Sequence, residues 1–319
     1  MSGWPAPQGS TMNTASTPVG GLRRRDSRRS HERHRTLAGV LFVLPALLLF
    51  ALLLVAPLLY ALYLSLFSQR LVGDTIFTGL DNYLSALQDP EFGDGLLRML
   101  VFLIVQVPIM LGLALVFALL LDSGRLLLAR VIRLGVFIPY AVPSVVAALM
   151  WGFLYGREFG LLGQLGRALG MPMPNFLGSD LILASIGNVV TWTYAGYNMV
   201  ILYSALQTVP SELYEAAAID GAGPIRLALK IKMPLLRPAL LLCTVFSVIG
   251  SFQLFNEPAI LRAAAPDAIN SSYTPNLYIY RLAFQDQRLN YAAALSFLLG
   301  LVVFVLSYAV TWAARRRRA

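Results

Sequence analysis

The side chains best able to do chemistry in this sequence interrupt its longest apolar runs. Asn188, Thr191, Trp192, Tyr194, Tyr197 and Asn198 break up one run, with Thr191, Tyr194 and Asn198 recurring at helical spacing. Ser247, Ser251, Gln253, Asn256 and Glu257 break up another, where a continuous helix would let Gln253 reach Asn256 at i+3 and Glu257 at i+4. Amides and hydroxyls both give and accept hydrogen bonds, and aromatic rings cover apolar faces. Together they suit a polyhydroxylated solute. The same residue types also bond neighbouring helices in membranes, and spacing alone does not choose between the two uses.

Catalytic chemistry has little to stand on. The only histidines, His31 and His34, lie in a basic stretch outside the apolar runs, which leaves neither a His-based triad nor an embedded metal cluster. No G-K-[ST] phosphate loop exists, since Lys230 follows Leu229 and Lys232 follows Ile231. The single cysteine, Cys243, can form no intrachain disulfide and reads as a packing residue. We therefore assign no catalytic residue and no metal ligand.

The elements that must hold the polar groups are membrane helices. With 57% hydrophobic and 13% charged residues, the composition lies outside the range of soluble domains. Runs near 37–67, 97–121, 131–155, 181–206, 239–260 and 291–314 reach the roughly 20 residues a crossing helix needs. The count is six. Arg125, Arg130 and Arg133 lie by one loop, Arg226, Lys230, Lys232 and Arg237 by another, and Arg315 to Arg318 at the end. The alternate loops contain Asp74, Asp81, Asp89, Glu91 and Asp94, then Glu158 and Asp180, then Asp267 and Asp286. The positive-inside rule places both termini in the cytoplasm. It also explains the net charge of +9 by topology, without nucleic acid. Residues 1–35 are rich in Ser, Thr, Pro, Gly and Arg, and read as a disordered basic cytoplasmic tail. The run at 37–67 is too long for a signal peptide and lacks a cleavage pattern. Pro45, Pro57, Pro108, Pro139 and Pro143, in or beside the spans, predict kinks.

The stretch from Gln207 to Pro238 predicts two short helices about a corner. Pro210-Ser211 opens the first, Glu212 and Glu215 favour its N-terminal end, and Ala216, Ala217 and Ala218 propagate it. Gly221 stops it, Pro224 opens the second, and Pro234 forces the next break.

These residues carry a resemblance. Glu215-Ala216-Ala217, Asp220-Gly221-Ala222, Ile231, Met233, Pro234 and Pro238 resemble the EAA loop of bacterial ABC-importer permeases, with Met233 at the usual leucine. At Ala228 a small residue replaces one that is often aromatic. The runs at 37–67, Gly79 to Tyr83, Ile138 to Pro143, SFQLFNEP at 251–258, Tyr278 to Phe284 and Tyr291 to Leu295 are similar to the carbohydrate-uptake branch, of MalF type. The resemblance covers residues 35–312 and implies an all-α integral membrane protein of six transmembrane helices, with the type I importer permease fold and a cytoplasmic coupling-helix loop. It divides the chain into the tail at 1–35, a first span and outward loop at 36–95, a permease core at 96–314 and a basic end at 315–319. It implies Glu215, Ala216, Ala217, Asp220, Gly221, Ile231 and Pro234 as the ATPase-coupling residues. For the substrate path, the polar residues of the two interrupted runs supply Tyr194, Tyr197, Asn198, Ser251, Gln253, Asn256 and Glu257, and the resemblance implies that Tyr197 and Asn256 line the cavity. Implied partners are a MalG-like second permease, an ABC ATPase dimer and an extracytoplasmic solute-binding protein, with a sugar as substrate. ATP and Mg would bind the ATPase, leaving no cofactor in this inner-membrane chain. An ion-coupled secondary transporter is the competing class. It calls for buried carboxylates within spans, of which Glu257 is the one clear instance.

Overall fold

The computed structural model describes Gly3 and residues 40–68, 75–124, 127–171 and 173–316. The arginines at 23–35, His31, His34, Asp74, Arg125, Arg317 and Arg318 lie outside the described residues. The chain divides into two units, Met1–Tyr60 and Ala61–Ala319. In the first, the described segment is helical from Val40, with a π-helical turn at Ala51–Val55 just ahead of Pro57. The apolar helix that begins there, α1, runs Val40–Ser65.

Among its described residues the second unit is mainly helical, with a two-stranded antiparallel ribbon, β1 (Phe67–Ser68) with β2 (Ile76–Phe77), in register Phe67 to Phe77. A short helix, α2 (Asp81–Leu87), leads into α3 (Pro90–Asp122). Asp89 caps α3 by accepting from the Glu91 and Phe92 amides, and Pro90 takes the first-turn position where no donor is needed. This start corrects the sequence reading, which left Glu91 and Asp94 in a loop. The cap lets the helix begin before its apolar run does.

Next come α4 (Ala129–Ala141) and α5 (Ser144–Tyr155), which meet at 99°. The bend lies between Pro139 and Pro143, and α4 tightens into a 3₁₀ turn at Ile138–Ala141. After α6 (Leu161–Ala168) comes α7 (Ile182–Leu206), then the corner helices α8 (Ser211–Ile219) and α9 (Pro224–Leu227). A π-helical turn, Ala228–Lys232, and a short turn, Met233–Leu235, lead to α10 (Arg237–Phe252). The chain then forms α11 (Asn256–Leu261), α12 (Pro275–Tyr280) and α13 (Leu289–Arg316).

Among the described residues, four helices are long and apolar enough to cross a membrane: α1, α3, α10 joined to α11, and α13. The bent pair α4 and α5 makes a fifth if it is one span. At 25 residues α7 has the length, but its Asn, Thr and Tyr residues depress its hydropathy.

α3 packs along α7, and α10 packs on α3 and α13. Two apolar clusters fill these contacts. Phe92, Met99, Phe102, Ile186, Leu282 and Leu295 belong to the cluster at the Asp89 end. Met110, Ala118, Leu121, Met199, Leu206 and Leu236 belong to the one at the Asp122 end. Gly196 permits the approach of α4 to α7, because a Cβ there would overlap the Val136 carbonyl.

Candidate functional site

Between the two clusters the helices leave a cavity of about 260 Å³. Tyr194, Tyr197 and Asn198 line it from α7, and Phe246, Ser247 and Ser251 from α10. Gln253, Leu254 and Phe255 contribute from the break after α10, Asn256 and Glu257 from α11, Phe102, Gln106 and Met110 from α3, and Ser144 from α5. All seven residues named above for a solute path therefore share one lining.

Each polar group has its own setting. Asn256 Nδ2 donates to Ser144 Oγ at 2.9 Å, tying α11 to α5. Asn198 Nδ2 donates to the Tyr194 carbonyl at 2.9 Å, and Ser251 Oγ donates to the Ser247 carbonyl at 2.8 Å. Tyr140 stacks on Tyr197, with ring centroids 4.7 Å apart, and meets Tyr194 edge-on. Glu257 is 6% exposed, and among the described residues no ion pair reaches it. Among those residues it is the one carboxyl in the lining.

The geometry corrects two readings. Gln253 does not address Asn256 and Glu257 along one helix, because α10 ends at Phe252 and α11 begins only at Asn256. The break is held from a distance: Asn276 Nδ2 donates to the Phe252 carbonyl at 3.0 Å and Thr274 Oγ1 to the Leu254 carbonyl at 3.1 Å. Freed carbonyls at membrane depth require such partners. Asn188, Thr191 and Trp192 are absent from the cavity lining. Thr191 accepts from Gln106 Nε2 at 3.3 Å, Asn188 donates to the Tyr155 hydroxyl at 2.8 Å, and Trp192 packs edge-on against Trp151. They join helices to one another. The sequence reading missed Gln106, Ser144 and Tyr140; Gln106, a lone amide within the run at 97–121, was the findable one.

At the Asp122 end, α8 terminates through Gly221, whose φ of +73° is a left-handed value suited to glycine. The Asp220 amide donates to the Ala216 carbonyl at 3.0 Å and the Ala222 amide to the Ala217 carbonyl at 2.9 Å, closing the corner. Glu215, Ala216 and Asp220 are exposed, Ala217 is buried, and Ile231 and Pro234 are half-buried. Pro234 does not force the break expected of it. The helical path continues through it to Leu235 and turns at Leu236, since Pro234 sits in the first turn after the π-helical segment, where its missing N–H is no loss.

Beside this corner lies a buried ion pair absent from the sequence reading. Lys232 Nζ meets Asp122 Oδ2 at 2.5 Å, with side chains 7% and 5% exposed. Gln207 Nε2 donates to Asp122 Oδ1 at 3.0 Å, and Lys232 Nζ lies 4.6 Å from the Tyr214 ring centroid.

The opposite end has its own polar knot. Asp89 Oδ2 accepts from the Tyr278 and Tyr291 hydroxyls, each at 2.7 Å. Burial opposes ionisation of Asp89, but these hydroxyls and the two capping amides outweigh it and hold its carboxyl below the usual range. Arg281 pairs with Glu91 at 2.9 Å and donates to Ser271 Oγ at 2.9 Å.

A broken-helix cavity lined with amides, hydroxyls and aromatic rings, held in a bundle of membrane helices, is the arrangement of a solute permease. Residues 83–319 match the family described as binding-protein-dependent transport system inner membrane component, and the chain belongs to it. It is 34% identical over 304 residues to the lactose transport system permease protein LacF of Rhizobium radiobacter, covering 92% of this chain and 99% of that one. It is 30% identical to the trehalose/maltose transport system permease protein MalF of Thermococcus litoralis, over 86% of this chain and 92% of that one. A solved bacterial ABC transporter involved in import of the acidic polysaccharide alginate has the same fold, with a TM-score of 0.79 at 19% identity, over 91% and 99% of the two chains.

Proposed function

We propose that the chain is one of two permease subunits of an ATP-driven, binding-protein-dependent importer for a sugar or sugar-like solute. The observation that carries this reading is the cavity, in which seven polar or aromatic residues able to bond or cover a sugar converge. Tyr194 and Tyr197 cover an apolar sugar face, while Asn198, Ser251, Gln253, Asn256 and Glu257 exchange hydrogen bonds with hydroxyls. At about 260 Å³ the cavity lies just under the roughly 300–1,000 Å³ of small-molecule sites, so a MalG-like second permease completes its wall. The relatives described as lactose and trehalose/maltose permeases favour a sugar.

In this reading the chain crosses the inner membrane six times, α7 being the crossing that its path-lining polar residues make least apolar. Both termini lie in the cytoplasm. Residues 1–35 form the tail, 36–95 the first span and outward loop, 96–314 the core, and 315–319 the basic end. α8 and α9 form the coupling loop: Glu215, Ala216, Ala217, Asp220, Gly221, Ile231 and Pro234 seat it in an ABC ATPase dimer that binds ATP and Mg. An extracytoplasmic binding protein delivers the solute at the Asp89 end.

The test is uptake into vesicles reconstituted with both permeases, the ATPase and the binding protein. Uptake that requires ATP and every subunit supports the proposal. Uptake by the permease alone, driven by a proton or sodium gradient, replaces it with the ion-coupled class.

A further inference from the structure

Three helices that line the cavity end on one carboxylate. Asp122 is the last residue of α3, which supplies Phe102, Gln106 and Met110 to the lining. Gln207, bonded to that carboxylate at 3.0 Å, directly follows α7. Lys232, paired with it at 2.5 Å, closes the π-helical turn that feeds α10. Tyr214 of α8 lies against the Lys232 ammonium, 4.6 Å from ring centroid to Nζ. The corner helices and the three spans thus share a single polar joint.

Apolar packing already binds these helix ends together. Leu121 is 5% exposed, Leu206 and Leu236 are each 1%, and Ala118 and Leu202 are fully buried beside the joint. A buried ion pair adds little cohesion over well-packed neutral residues of similar size, because the desolvation of two charges offsets their attraction. What the pair adds is direction. Separating a buried lysine from its carboxylate leaves two uncompensated charges, so the groups move together or not at all. π-helical turns, moreover, recur at functional positions in helices.

We infer that Asp122 and Lys232 are positioning residues for transport: their ion pair carries displacement of the α8–α9 corner into α3, α7 and α10. The inference rests on the proposal that this corner docks on the ATPase. Asp122 receives the motion through Lys232, passes it to α7 through Gln207, and shifts the cavity walls as a set. Neither residue touches solute.

The test uses the complete reconstituted complex, with cysteine-free partner subunits and Cys243→Ala in this chain. Nitroxides are placed at Leu113→Cys on α3 and Leu242→Cys on α10, both exposed and absent from the cavity lining. Their separation is measured by double electron–electron resonance before and after trapping with ATP, Mg and vanadate. We expect trapping to change the separation in the parent and in Lys232→Arg, which keeps the pair. The neutral pair Asp122→Asn/Lys232→Gln is expected to assemble with its partners yet lose the change. A neutral pair that keeps the full change overturns the inference and leaves the docking proposal standing. Failure of the neutral pair to assemble makes the ion pair a folding element and also overturns it. A parent that shows no change refutes the docking proposal, and the inference falls with it.

Discussion

Replacing Asn256 with leucine removes the hydrogen bond to Ser144 Oγ and, in the proposed function, one to a solute hydroxyl. Each bond contributes about 0.5–1.5 kcal/mol, a factor of about two to twelve in an equilibrium constant. Ser144→Ala separates the two roles, because it breaks the same interhelical bond from α5 while leaving the Asn256 amide free to meet solute. If Asn256 serves only to join α11 to α5, both single variants lower uptake equally and the double variant adds nothing. If it also binds solute, Asn256→Leu is weaker than Ser144→Ala by a further factor of about two to twelve, and that deficit persists in the Ser144→Ala background. The assay is the concentration dependence of initial uptake in the reconstituted complex, with co-purification of the partner permease as the assembly control. A double variant no weaker than Ser144→Ala alone would refute a solute contact at Asn256.

Gly221→Leu forces an L side chain into a φ of +73°, at a cost of about 1–2 kcal/mol, and alters the α8–α9 corner. Uptake is expected to fall while the chain still inserts, as read by paired transport and membrane-fraction assays. Glu257→Gln is expected to narrow the preference for an uncharged sugar over its uronate analogue, since Glu257 is the one carboxyl in a lining that has no Lys or Arg among the described residues. Titration calorimetry on the complex free of binding protein reads this directly, and an unchanged preference would sink the assignment. Tyr278→Phe removes a donor to Asp89 and should cost about 1 kcal/mol near neutral pH. Asp89 has a depressed folded-state pKa, so its stabilisation is complete above the unfolded value near 3.8 and fades as pH falls through the lower folded value. Thermal unfolding in detergent should therefore show the two proteins converging at acid pH.

The readable features were those written in contiguous residues. The apolar runs near 181–206 and 291–314 lie within one residue of, or inside, Ile182–Leu206 and Leu289–Arg316. The glycine corner was equally plain, because its caps and turn residues are neighbours. The illegible features depend on partners far along the chain. The gap after Phe252 is held by Thr274 and Asn276, and no local pattern distinguishes it from continuous helix. Lys232 looked like one of several topological cations until its partner, 110 residues earlier, stood beside it. Gln106 stands alone in a strongly apolar run, where no second polar residue at helical spacing marks the face it belongs to.

α3 is longer than the slab it crosses. Its 33 residues extend about 50 Å at 1.5 Å each, against about 30 Å of hydrocarbon, so the knot at Asp89 and the joint at Asp122 mark the ends of a strut longer than the hydrocarbon is thick. Pro108 interrupts that strut's hydrogen-bond ladder two residues from both Gln106 and Met110. The compliant point of the strut therefore lies at the depth of the cavity. A torque applied at either end is absorbed as bending there, beside the cavity lining, instead of reaching the far end undiminished.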